Sequence, residues 1–255
     1  MKALITREKN PIQPGDEETL PPDFEWIHLP LIETAYVPGD PARNAAVRNR
    51  LESYDYVLFT SANGVRYFSR WLEDQGVPRP DAPQVVCIGE KTACAARDEG
   101  WVVSVIPSDA HASEELTEAW ARKPMVNRRV LFPKAVLTRA VVRKAIESKG
   151  GRVDELHVYE TQTREASRDP LRKLALEGMD WIAFFSPSGV RGFCELLGDV
   201  NANEWIRRCK PRIASIGRVT SAEIERRGWT VTVECGRPSI QELCDRMVEW
   251  ERSIV

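Results

Sequence analysis

Asp55-Tyr56-Val57-Leu58-Phe59-Thr60-Ser61-Ala62-Asn63-Gly64-Val65-Arg66 decides how the rest of the chain is read. Tyr56 to Phe59 is an unbroken apolar run, the pattern of a strand buried on both faces. Thr60 to Asn63 is a small polar turn, and beyond it Val65, Phe68 and Leu72 fall on one helical stripe. Strand, polar turn and helix make one βα unit. The same sentence returns as Asp180-Trp181-Ile182-Ala183-Phe184-Phe185-Ser186-Pro187-Ser188-Gly189-Val190-Arg191, with Ser186 standing 125 positions beyond Ser61. Val190, Phe193, Leu196 and Leu197 then form the matching stripe.

Working outward, other segments recur at nearly the same spacing. Ile88-Gly89-Glu90-Lys91-Thr92 returns as Ile216-Gly217-Arg218-Val219-Thr220, and Gly100-Trp101-Val102-Val103 as Gly228-Trp229-Thr230-Val231, both 128 positions on. Lys2-Ala3-Leu4-Ile5 matches Arg129-Val130-Leu131-Phe132 at 127. The offset is about half of the 255 residues, so two similar α/β units are expected, with polar residues kept just after strands. Open α/β sheets bind ligands at those carboxyl ends.

The strands Gln84-Val85-Val86-Cys87-Ile88 and Arg212-Ile213-Ala214-Ser215-Ile216 lead into helices that should end at Gly100 and Gly228, each followed by a short strand containing Trp. Ser113-Glu114-Glu115-Leu116 and Ser239-Ile240-Gln241-Glu242 read as capping boxes of each half's last helix. Residues 8–25, rich in Pro, Gly, Asp and Glu, read as a loop. Two extended segments, Ile27 to Thr34 and Leu156 to Thr161, fit no βα unit and stand at equivalent points, as connections between two domains would.

Composition narrows the function. The length suits two domains of roughly 100–150 residues. A net charge of −2 gives no general affinity for nucleic acid. No apolar run reaches the ~20 residues needed to cross a bilayer, and the N-terminus reads as a first strand rather than a secretory leader. The six cysteines show no CxxC pair and read as reduced, buried thiols of a cytoplasmic protein; the three histidines are too dispersed for a metal cluster. With no GxGxxG and no GxxxxGK[ST], a nucleotide cofactor is not expected.

The candidate site residues sit in the repeated turns. Thr60-Ser61-Ala62-Asn63 and Ser186-Pro187-Ser188 offer hydroxyls, an amide and backbone N–H groups at helix N-termini, which favour anions. Plain N-capping explains one such loop as well. Thr92 and Thr220 could cap their helices or donate to a ligand. Lys134 and Arg139 follow the strand Val130-Leu131-Phe132 as cations at another carboxyl end, or as a solvated helix start. Tyr159 is the titratable group of the second connector, and serves there either as packing or as an acid.

With these pieces placed, the chain resembles the uroporphyrinogen-III synthase family along essentially its whole length. The carrying motifs are Phe59-Thr60-Ser61-Ala62-Asn63-Gly64-Val65, Ile88-Gly89-Glu90-Lys91-Thr92-Ala93, Val158-Tyr159-Glu160-Thr161, Phe184-Phe185-Ser186-Pro187-Ser188-Gly189-Val190 and Ile216-Gly217-Arg218-Val219-Thr220. The resemblance implies two flavodoxin-like parallel-sheet domains joined by a two-stranded linker. One domain would hold residues 1–35 and 163–255, the other 38–160, with linker strands near 28–37 and 156–163. It implies an active site between the domains, where a linear hydroxymethyl tetrapyrrole, hydroxymethylbilane, closes to uroporphyrinogen III with loss of water and inversion of the D ring. No metal or organic cofactor is implied. The octacarboxylate substrate would arrive from hydroxymethylbilane synthase, and a monomer is expected.

By the same resemblance, Tyr159 falls where the family has its general acid. Thr92 and Thr220 fall on its two cleft threonines, Ser61 and Ser186 on its binding loops, and Arg139 on a basic residue after the fifth strand. The chain departs from the family pattern in the glycine-free loop 133–139, at Arg218 and at the inserted Ser221. Those departures keep a second reading open: a non-catalytic binding or regulatory module for a polycarboxylate.

Overall fold

The computed structural model describes residues 1–7, 20–105, 125–137, 140–236 and 239–254. In chain order the described strands are β1 (Lys2–Ile5), β2 (Glu25–His28), β3 (Ile32–Tyr36), β4 (Tyr56–Phe59), β5 (Gln84–Cys87), β6 (Val103–Val105), β7 (Arg129–Ala135), β8 (Arg152–Thr163), β9 (Trp181–Phe184), β10 (Arg212–Ser215) and β11 (Val233–Glu234). The chain forms two compact units, Met1–Glu33 with Gln162–Val255, and Thr34–Thr161.

The first unit holds a sheet in the order β11-β10-β9-β1-β2, parallel throughout. Numbered from β1, that is the flavodoxin order 2-1-3-4-5. The second unit shows the same order as β8-β7-β4-β5-β6, with β7 in the place of β1. β1 therefore pairs with β9, far along the chain, and not with β4. β3 adds an edge beside β8. Backbone bonds from Val37 N to Val158 O and from Arg164 N to Leu31 O run in opposite chain senses, so this last pair is antiparallel, with Tyr36 opposite Tyr159.

Each unit buries the aromatic set that the repeats suggest. Phe59, Phe68 and Trp101 pack with ring centroids 5.6–5.9 Å apart in one unit. Phe184, Phe193 and Trp229 pack at 5.7–6.4 Å in the other. Such rings supply most of the apolar area a small core can bury.

Both helices before the tryptophans end in the same way. Gly100 N donates to Arg97 O and Trp101 N to Ala96 O; Gly228 N donates to Glu225 O and Trp229 N to Ile224 O. Both glycines have φ near +77°, the left-handed conformation this double cap requires. Here the structure corrects the sequence reading. The tryptophans belong to the helix cap, and the strands begin after them, at Val103 and Val233.

Two further readings change. The extended segment Ile27 to Thr34 is broken: β2 ends at His28 as an edge of the first sheet, and β3 begins at Ile32. Pro30, lacking an N–H, lies in the break. β7 continues past Phe132 to Ala135, so Pro133 and Lys134 are inside the strand. Pairing with β4 stops at Leu131 while that with β8 continues, so Pro133 breaks no rung to β4. The capping box proposed at Ser113, like most of the loop over 8–25, lies outside the described residues. Ser239 does cap its helix, accepting from Glu242 N.

Candidate active site

In a 2-1-3-4-5 sheet the crevice opens where the connections turn to opposite sides, beyond the carboxyl ends of strands 1 and 3. In the first unit those strands are β1 and β9; in the second they are β7 and β4. The residues following β9 and β4 are the two serine loops.

Ser61 is the N-cap of the helix Ala62–Asp74, its Oγ accepting from Gly64 N at 3.0 Å. Ser186 caps the helix Pro187–Leu197 in the same way through Gly189 N, also at 3.0 Å. Gly64 is constrained by its neighbours: a Cβ there would stand 3.2 Å from Pro133 O on β7. Thr60, Ala62, Asn63, Pro187 and Ser188 are all half-buried around these caps. Capping is therefore real at both loops. It uses one acceptor lone pair of each serine and leaves the hydroxyl proton for another partner.

The loops differ in that partner. Ser186 Oγ lies 3.2 Å from Ser188 Oγ. Ser61 Oγ lies 3.1 Å from Tyr159 Oη, bringing together two residues 98 positions apart. Tyr159 is half-buried on β8, and its ring stacks on Tyr67 at 5.3 Å. The position 127 before Tyr159 is Ile32, so the first unit has no equivalent phenol. Sequence reasoning missed Tyr67; the only signal was its place on the helix that Ser61 caps.

Thr92 and Thr220 are buried in the first turns of the helices Glu90–Asp98 and Arg218–Arg226. The N-caps are Gly89 and Gly217, and neither helix has a side-chain cap bond, so the threonines are not caps. Their hydroxyls lie at helix N-termini, where the partial charge is positive.

Lys134 lies inside β7 and not past a strand end. Only 5% of its side chain is exposed, and its ammonium donates to Glu155 at 2.9 Å. A charge already matched inside the unit is not a free substrate contact. Next to it His157 is held below its ordinary pKa, chiefly by burial and then by the charges of Lys134 and Arg43. Arg139 lies outside the described residues. Among the described residues no three His, Cys, Asp or Glu side chains converge as metal ligands. A groove of about 780 Å³ lies between the helices Arg168–Glu177 and Asp199–Cys209 of the first unit, lined by Arg172, Leu176, Trp205 and Arg208 among others; none of the expected site residues lines it.

Two sheets of flavodoxin order, each with a hydroxyl-bearing loop at its switch point, define the class: an α/β protein of two parallel-sheet units. Residues 23–245 match the family model described as "Uroporphyrinogen-III synthase HemD". The chain belongs to the uroporphyrinogen-III synthase family. It is 28% identical over 234 residues to a uroporphyrinogen-III synthase of Synechococcus elongatus, covering 89% of this chain and 86% of that one. To the protein of that name in Saccharomyces cerevisiae it is 25% identical, covering 99% and 97%. The solved uroporphyrinogen-III synthetase of Helicobacter pylori shares the fold with a TM-score of 0.61 at 17% identity, over 100% of this chain and 99% of that one. A mutant synthase from Thermus thermophilus does so at 0.58 and 18%, over 91% and 90%.

Proposed function

We propose that this chain is itself a uroporphyrinogen-III synthase, closing hydroxymethylbilane with loss of water and inversion of the D ring. Family membership supports the reaction, and the Tyr159–Ser61 pair at the β4–β7 switch point supports the mechanism. Tyr159 donates its phenolic proton to the departing hydroxyl. The C–O bond breaks, water leaves, and an azafulvene cation remains. Ser61 O–H donates to the phenolate left behind. Gly64 N–H, donating to Ser61 Oγ, polarises that hydroxyl and strengthens the donation.

The cation is attacked by the substituted carbon of ring D, giving a spiro intermediate. One bond of this centre breaks and re-forms at the other side of the ring. The last carbon to bond loses a proton, which restores the phenol, so the sum is one water lost. General acid catalysis of this kind typically contributes about 10²–10⁴-fold. The serine loops and the turns carrying Thr92 and Thr220 hold substrate carboxylates through charge-assisted bonds, roughly twice as strong as neutral ones. With the phenol in one unit, the Ser186 loop serves binding alone.

Hydroxymethylbilane made in place from porphobilinogen by hydroxymethylbilane synthase tests the reading. Added protein should turn the product from the symmetrical type I isomer to type III. Type I alone, from folded protein, would leave a polycarboxylate-binding module.

A further inference from the structure

Tyr67 is the sixth residue of the helix Ala62–Asp74, which Ser61 caps. One helix therefore supplies both the hydroxyl that meets Tyr159 Oη and a ring that lies against its face. The two rings stack at 5.3 Å with an interplanar angle of 16°. Tyr67 also stacks with Tyr36 at 6.4 Å and 17°. Tyr36 and Tyr159 stand opposite each other on β3 and β8, so the helix lays one ring against a cross-strand pair. The Arg70 guanidinium covers Tyr36 at 4.5 Å.

Tyr67 is itself fixed. Its Oη donates to Thr34 O at 2.6 Å and lies 3.1 Å from Thr34 Oγ1, both on β3. A half-exposed tyrosine at the end of a sheet has several rotamers open to it. Stacked against a tethered ring, Tyr159 is confined to the one that carries Oη to Ser61. The helix buries Val65, Phe68, Trp71 and Leu72 in the core, and half-buried Tyr67 packs at the margin of the same cluster, where its ring meets Tyr159. We infer that Tyr67 is a positioning residue for the acid: it holds the Tyr159 phenol in its working direction without touching the reacting atoms. The inference rests on the proposal that Tyr159 is the proton donor.

The test is a double-mutant cycle on kcat and KM, using Tyr67→Leu, Tyr67→Phe, Tyr159→Phe and the double variant Tyr67→Leu/Tyr159→Phe. Misplacing a catalytic group by about 1 Å can cost up to 10²-fold, so Tyr67→Leu should lower kcat about tenfold or more with KM within about twofold. Tyr67→Phe keeps the stacking face but loses the tether to Thr34, so its kcat should fall between those of wild type and Tyr67→Leu. In the Tyr159→Phe background, Tyr67→Leu should change kcat by less than about twofold, the non-additivity of residues acting as one. Equal losses in both backgrounds, or an effect confined to KM, would overturn the positioning role and leave the acid standing. Full activity in Tyr159→Phe would instead sink the acid, and the positioning role with it. Circular dichroism checks the fold, and Tyr67→Met, similar in bulk without a flat face, replaces Tyr67→Leu in the cycle should the latter not fold.

Discussion

Ser61 carries two duties on one oxygen, and substitutions separate them. Removing a serine N-cap typically costs about 1 kcal/mol, so Ser61→Ala and Ser186→Ala should lower the urea midpoint by similar amounts. Only Ser61→Ala also removes a partner of Tyr159. Its kcat should therefore fall more than that of Ser186→Ala at matched stability; equal kcat values would argue against Ser61 as a phenolate partner. Tyr159→Phe should lower kcat by about 10²-fold or more and leave residual turnover, while Thr220→Ala does less. At this scale the sequence is legible where a residue answers to its neighbours. The serine caps follow from Ser-x-x-Gly at a strand end. The contact between Ser61 and Tyr159 spans 98 positions and leaves no local trace. The pairing of Lys134 is hidden for the same reason, because its partner Glu155 comes from the next strand.

Single elements carry their own constraints. Gly192 sits inside the helix Pro187–Leu197, where a Cβ would stand 2.9 Å from Leu31 O. Backbone cannot yield as a side chain does, so Gly192→Ala should destabilise by roughly 1–3 kcal/mol by chemical denaturation, as overpacking generally does. An unchanged midpoint would mean that the helix can back away from Leu31. On β8, burial and two nearby cations keep His157 neutral where the unfolded chain would already be charged. The native state then binds fewer protons, so stability is kept above the ordinary value of 6.5 and lost as pH falls below it. His157→Gln should lose less stability than wild type between about pH 8 and pH 5. A parallel loss in both proteins would contradict this. The elements were largely legible because both buried strands and helical stripes announce themselves by period. Their ends were not: β7 runs on through Pro133, and the Trp101 and Trp229 segments close helices instead of opening strands.

Across the whole chain, pairing partners are what local sequence leaves open. β1 lies between β2 and β9, not beside β4 of its own half, and only the shared 2-1-3-4-5 order makes sense of that exchange. The thiols report on each unit separately. Burial pushes Cys87 up to about 12 in one unit and Cys194 up to about 11 in the other. Cys209 is exposed. Thiol labelling of the native protein should modify Cys209 at once and reach Cys87 and Cys194 only as their units open; immediate labelling of either would contradict their burial. The most direct test of the account remains the product of the native protein. Hydroxymethylbilane is generated at a fixed rate, protein is added at rising but substoichiometric amounts, and the oxidised porphyrin isomers are separated. The account predicts that type III rises with added protein until it displaces type I, and that Tyr159→Phe shifts this rise to much higher protein amounts. Type I at every amount of folded wild-type protein would contradict it.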